Sequence, residues 1–156
     1  MRISARADYA VRATVAIAQA EDALISADAV AESQSIPRSF LEGILTSLRR
    51  AEIVTSRRGA AGGYRLAKTA REVSVADVIR AVDGPLVYVR DARPSDVEYV
   101  DEHEALAALW VALRANVRIV LEATTIADLA VGSLPASVQA LADEPRAWLN
   151  ASPLGD

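Results

Sequence analysis

Residues Pro37 to Leu66 read PRSFLEGILTSLRRAEIVTSRRGAAGGYRL, and this stretch decides the fold. Phe40, Leu41, Ile44, Leu45 and Leu48 recur at three- and four-residue spacing, so the first half forms an amphipathic helix with one apolar face inward. Arg38, Ser39, Glu42, Thr46 and Arg49 fall on its other faces. Ile53 to Arg57 alternates as a short strand does, Gly59 to Gly63 supplies a turn, and Tyr64 to Leu66 is the return strand. Upstream, Ser26 is placed to cap a short helix reaching about Glu32, with Ala27, Val30 and Ala31 on its inner face, and Ser33 to Ile36 turns tightly into the helix that Pro37 opens. Two helices joined by so short a turn and followed by a hairpin have the layout of a winged helix-turn-helix. Arg57 and Arg58 stand where the hairpin begins to turn, and a guanidinium there can enter a minor groove narrowed over A·T-rich sequence.

The flanking segments complete a mostly α chain with a small β-wing. Ser4 caps a first helix from about Ala5 to Ala20, whose broad apolar face makes it a core helix. Ser74 caps a short helix with Val75, Val78, Ile79 and Val82 inward, stopped by Asp83-Gly84-Pro85. From Leu86 to Val100 the pattern dissolves into a polar loop, longer than most connections. Beyond it Leu106, Leu109, Trp110, Leu113, Val117, Val120, Leu121 and Thr124 form one helical stripe. A lone helix of that length must bury its stripe, and in a two-fold reader the partner is its own copy. Thr125 caps a further turn from Ile126 to Ala130, Pro135 opens a last amphipathic piece with Val138 and Leu141, and a loosely held tail follows Pro145, on which Trp148 can dock. The expected divisions are a DNA-binding domain over 1–84, a loop over 85–100, a dimerisation helix and short turn over 101–131, and a partly mobile extension over 132–156.

With 156 residues the chain can bury a core without staples, and having no cysteine it can form neither a disulfide framework nor a thiolate metal site. The opening MRISARADYAVRATVAIA is interrupted by Asp8 and Arg12 and lacks the apolar run of a signal peptide or membrane span, so a cytoplasmic protein is expected, with no membrane partner. The net charge of −4 hides an asymmetry: residues 1–70 carry +3 and residues 71–156 carry −7. Gln34 to Lys68 alone holds seven basic side chains against Glu42 and Glu52, the footprint expected for phosphate contact.

These residues resemble the Rrf-two family of bacterial transcription regulators over about residues 1–130. The resemblance is carried by MRISARADYAVRA, SFLEGILTSLRRAEIV, RRGAAGGYRLA, VADVIRAVDGPL and TTIADLA, of which the RG-x-x-GGY wing is the sharpest piece. It implies a homodimeric repressor whose long helix crosses its mate and whose two wings sit on an imperfect palindrome of double-stranded DNA. Residue by residue it assigns base contacts to Arg38, Ser39 and Glu42, the minor groove to Arg58 with Gly59, and phosphate contacts to Arg2, Ser4 and Arg50. A carboxylate at Glu42 accepts from cytosine N4 and repels phosphate, so it adds selectivity more than affinity; paired instead with Arg38 or Arg49, it is only an exposed helix residue.

Many members of that family hold an iron-sulfur cluster through three cysteines in the loop before the long helix. The equivalent stretch here, Arg90 to Glu104, reads RDARPSDVEYVDEHE, so no cluster, no cofactor and no metal are expected. Asp8 stands where some nitric-oxide-sensing members supply a carboxylate ligand, but a first-turn acid facing Arg12 accounts for it here. Asp101, Glu102, His103 and Glu104 diverge by about 100° each along a helix start and do not share one ion. Sensing then falls to a small molecule or a protein, as in the cysteine-metabolism branch of the family, at a junction lined by Asp8, Arg12, Tyr88 and Trp110. With one histidine, no cysteine nucleophile, no phosphate loop and no paired acids with a base in matching context, nothing supports an enzyme. The alternatives are a winged-helix interaction module that does not act through DNA and a metal-responsive regulator using carboxylate and histidine ligands.

Overall fold

The computed structural model describes residues 2–99 and 103–149. Helices α1 (Ala5–Gln19), α2 (Ala27–Gln34) and α3 (Arg38–Arg50) precede the strands β1 (Val54–Arg57) and β2 (Gly63–Leu66), and α4 (Val75–Asp83), α5 (Glu104–Ala123), α6 (Ile126–Ala130) and α7 (Ala136–Ala142) follow. The strands pair antiparallel, with Val54 opposite Leu66 and Arg57 opposite Gly63. The layout is the expected mostly helical one with a two-stranded wing.

Caps set the helix starts. Ser4 accepts from the Ala7 N–H and Ser26 from the Ala29 N–H, each satisfying a backbone donor that the helix leaves free. Ser74 with Asp77 and Thr125 with Asp128 form full capping boxes. The α1 row Ala7, Ala10, Ala13 and Ala16 is buried, and side chains this small let α4 and α6 pack close. Ile17, Val30, Leu41, Ile44, Leu45, Leu48, Val78 and Ile126 fill the remainder of the core.

The chain returns to this core after α5. The Val75 N–H donates to the Thr124 carbonyl and the Ile126 N–H to the Val73 carbonyl, both at 2.9 Å, and Ile126 is wholly buried. Residues 124–130, which the sequence groups with the long helix, thus pack as part of the N-terminal domain and anchor the C-terminal end of α5.

Two local expectations, at Phe40 and in the C-terminal extension, are corrected, and the loop after Leu86 gains detail. Phe40 stays 52% exposed, lying edge-on to Tyr9 at 6.0 Å, because Leu41, Ile44, Leu45 and Leu48 fill the buried arc and leave Phe40 at its margin. The segment after Leu86 is ordered: Val87 and Pro94 are buried, Val89 and Ala92 bridge across a tight turn, and Pro94–Asp96 makes a 3-10 turn against α5. Its turn uses positive φ at Arg90 (50°) and Asp91 (60°), positions where glycine or asparagine is the usual signal. In the extension, Val138 is buried, but Leu141 (57%) and Trp148 (79%) stay exposed; the Trp148 indole reaches only the Ala142 carbonyl of its own segment.

Arg80 ties the N-terminal domain to α5. It pairs with Asp77 on its own helix at 3.5 Å and with Glu122 of α5, and Arg118 holds the same carboxylate at 2.9 Å. Hydrogen bonds from Arg118 and then Arg80 lower the Glu122 pKa from its ordinary 4.5 to about 2. A depressed carboxylate stabilises the fold fully above its unfolded pKa and stops doing so as pH falls through the folded value. Glu122→Gln is therefore expected to melt below the wild type at pH 7, with the gap narrowing below pH 4.5 and closing near pH 2. Melting curves across that range check it, and a constant gap would contradict it.

Candidate nucleic-acid interface

The solvent side of α3 is mainly polar, with Phe40 exposed near its start. Ser39, Glu42, Gly43, Arg49 and Arg50 are exposed, and Thr46 and Ser47 are half-buried beside them. Arg38 pairs with Asp28 from α2 and with Glu42 at 3.3 Å, so the two charges expected to read bases meet each other first. Exposed pairs of this kind contribute about 0–1 kcal/mol, little enough for DNA to displace. Arg6 of α1 donates to Ser47 Oγ at 2.9 Å, adding a cation to the edge of this face.

Gly43 is informative by its cost. A Cβ there would meet nothing within 4 Å, and glycine in a helix interior destabilises by roughly 0.5–1 kcal/mol relative to alanine. Gly43→Ala is expected to raise the melting temperature while weakening DNA binding, because the added methyl stands on the face that a base edge must approach. Paired melting and binding titrations test this; a gain in both would remove Gly43 from the interface.

The wing is closed by two glycines that no other residue can replace in place. A Cβ on Gly62 would lie 2.2 Å from the Arg57 carbonyl oxygen, and one on Gly63 would lie 2.5 Å from the Ile25 carbonyl oxygen. Ile25 and Tyr64 exchange backbone hydrogen bonds at 3.0 and 2.8 Å, stitching the hairpin to the segment before α2. The pairing puts Thr55, Arg57 and Arg65 on one face and leaves Val54, Tyr64 and Leu66 toward the core. Arg58 and Gly59 stand exposed at the tip. Arg49, Arg50, Arg57, Arg58, Arg65 and Lys68 are all exposed, and among the described residues none forms an ion pair, although Glu72 lies close enough to Lys68 to feel its charge.

Reading the sequence missed Arg6 and Arg65. Strand alternation from Arg57 identifies Arg65 once the register is known, whereas only tertiary packing brings Arg6 to α3. Ser4 is engaged internally, as the α1 cap and as a donor to Asp83. Arg2 is exposed nearby.

Of the four residues expected to sense an effector, Asp8 and Arg12 meet each other. Asp8 and Arg12 pair at 3.3 Å on the side of α1 that meets α2, where Arg12 also donates to the Gln34 carbonyl and lies 5.6 Å from the Tyr9 ring centre. Tyr88 is 49% exposed, and the Trp110 indole N–H is buried with no acceptor among the described residues. Among those residues no hydrogen bond or ion pair joins Asp8 or Arg12 to either aromatic.

Helix α5 divides its apolar side chains between two directions. Ala107, Trp110, Arg114, Val117 and Leu121 are half-buried at three- and four-residue spacing toward their own domain, whereas Leu106, Leu109, Leu113 and Ile119 are exposed. Val120 is half-buried between the two sets. No residue of this twenty-residue helix is buried.

A helix-turn-helix with a cation-bearing hairpin wing, carried beside a long uncovered helix, defines the class of winged-helix transcription regulators. The chain belongs to the Rrf2 family, whose model, described as an iron-dependent transcriptional regulator, matches residues 3–132. A Mycobacterium tuberculosis relative named as an HTH-type transcriptional regulator, Rv1287, is 50% identical over 94% of this chain and 92% of its own length. Among solved structures, Bacillus subtilis CymR, titled the global cysteine regulator, superposes with a TM-score of 0.71 at 31% identity, covering 84% of this chain and 97% of CymR. The T. potens IscR structure superposes at 0.67 with 27% identity, covering 97% of this chain and 94% of IscR. These relatives are regulators of transcription and not enzymes.

The family description implies iron, and the donor set of this chain does not fit an iron-sulfur cluster. Such clusters are held by thiolates, and the sequence has no cysteine. Asp101 and Glu102 of the acidic run lie outside the described residues, and His103 is exposed. Among the described residues no three potential ligands converge. Anaerobically purified protein is expected to be colourless and to carry well under one iron per chain by metal analysis; near-stoichiometric iron would contradict this.

Proposed function

We propose that this protein is a homodimeric, sequence-specific DNA-binding repressor without an iron-sulfur cluster, acting in the cytoplasm on an imperfect palindrome. The carrying observation is the set of six exposed, internally unpaired cations on α3, the wing and the segment just after it, beside a mainly polar helix face. Arg38, Ser39 and Glu42 read bases, Arg58 with Gly59 enters the minor groove, and Arg2, Arg50, Arg57 and Arg65 hold phosphates. Dimerisation is supported by exposed surface. Leu106, Leu109, Val111, Leu113 and Ile119 leave one side of α5 exposed and apolar, the kind of surface that a second copy covers. The likeness to a cysteine regulator supports sulfur and cysteine metabolism as the field of action, with a small molecule or a partner protein as the signal. In this reading residues 2–84 and 124–130 form the DNA-binding head, 85–99 the loop packed on α5, and 132–149 an appendage.

The test is selection of bound duplexes from a random library. The reading expects an inverted repeat with half-sites about one helical turn apart. Recovery of unrelated sequences would favour the alternative, a winged-helix module that binds protein.

A further inference from the structure

The start of α1, the end of α4 and the last third of α5 meet around a cavity of about 150 Å³. Ile79, Val117 and Leu121 supply apolar wall, and Arg2, Ser4 and Asp83 supply the polar lining. Ser4 donates to Oδ2 of Asp83, which leaves the other carboxylate oxygen without a side-chain donor among the described residues. Arg2 and Asp83 line the same cavity yet form no ion pair with each other or with any other described residue. Two exposed opposite charges that line one hollow without pairing with each other are complementary to a small molecule carrying both charges and a short hydrocarbon tail.

We propose that this cavity is the effector site and that it takes a small aliphatic α-amino acid. The ammonium pairs with Asp83, the carboxylate with Arg2, and the side chain enters the apolar part. The hollow of about 150 Å³ is open on one side, and its apolar wall of Ile79, Val117 and Leu121 suits a three- or four-carbon branched side chain while the charged ends stay at the polar rim. A charged side chain would be buried there without a partner. The inference rests on the DNA-binding reading, because Arg2 is one of its phosphate contacts. A ligand carboxylate that claims Arg2 withdraws it from DNA, and by linkage DNA must weaken the ligand by the same factor. The walls belong to the head and to the long helix alike, so occupancy acts where the two reading heads are oriented.

The experiment is calorimetric titration of the full chain with L-leucine and L-valine. Isovalerate lacks the ammonium, isoamylamine lacks the carboxylate, and L-glutamate carries a charged side chain; these serve as comparison probes. Leucine or valine should bind at least about tenfold tighter than any of the three, as loss of a charge-assisted bond requires. Asp83→Asn should lower amino-acid affinity by a similar factor while leaving isovalerate unchanged, and Val117→Phe should fill the cavity and abolish binding of both. A circular dichroism spectrum matching the wild type certifies each variant. Leucine at saturation should weaken binding to the selected palindrome severalfold. Equal binding of truncated probes, absence of binding at about 10 mM, or binding that leaves DNA affinity untouched overturns the proposal. DNA titration of the ligand-free protein separates the two failures: intact operator binding without amino-acid binding sinks this inference alone, whereas absent operator binding sinks the parent reading.

Discussion

Leu109→Asp combined with Leu113→Asp is expected to convert the protein to monomers and to lower its affinity for a palindromic duplex at least about a hundredfold, since two tethered half-site contacts become independent ones. In one protomer these side chains are 56% and 37% exposed, so an aspartate there leaves the protomer fold intact. In a dimer closed through α5, each carboxylate would be buried without a counter-charge, at about 3–5 kcal/mol for the loss. The wild-type helix offers Leu106, Leu109 and Leu113 in succession at three- and four-residue spacing, the pattern of a seam between helices. Val117 and Leu121, on the same stripe in the sequence, turn toward their own domain, and an aspartate there would bury a charge within the protomer as well. Light scattering at micromolar concentration with an unchanged circular dichroism spectrum is the check. A variant that remains dimeric would place the interface elsewhere.

Arg58→Ala and Glu42→Ala are expected to act in opposite directions on non-specific DNA. Arg58 is an exposed, internally unpaired cation at the wing tip, so its loss should weaken binding and reduce the salt slope by about one. Glu42 sits 3.3 Å from Arg38 and brings negative charge to the reading helix. Its removal should leave non-specific binding equal or stronger, because Arg38 is freed of one competitor, and should relax sequence choice by about 1–3 kcal/mol at one position. Titrations on selected and scrambled duplexes at two salt concentrations measure both effects. Equal losses from the two substitutions would undo the assignment of separate roles.

The parts of this fold that the sequence makes readable are those governed by local rules. Ser4, Ser26, Ser74 and Thr125 each begin a helix where a capping residue precedes an apolar periodic run, and all four caps form as expected. The inward set Val75, Val78, Ile79 and Val82 is buried in full. Where tertiary geometry decides, periodicity alone misleads. One apolar stripe on α5 gives no indication that Val117 and Leu121 would face the head while Leu109 and Leu113 face away. The turn at Arg90 and Asp91 lacks the glycine that marks such turns, so the order of the 86–99 segment is invisible in composition. At the interface, the arginines of α3 and the wing tip were legible from charge and spacing. Arg65 needed the strand register, Arg6 needed the packing of α1 on α3, and the Arg38–Glu42 pair changes what each must do before it can read a base. The cavity between Ser4, Asp83 and α5 joins residues far apart in the chain, which no local pattern can anticipate.

The most direct measurement of the central claim is fluorescence anisotropy of a labelled duplex carrying the selected inverted repeat, titrated with protein beside a scrambled duplex over a range of salt. The account predicts one dimer per duplex, cognate binding at least about a thousandfold tighter than scrambled, and affinity falling steeply as salt rises, with a slope set by several phosphate contacts. Equal affinity for the two duplexes, or binding indifferent to salt, would contradict it.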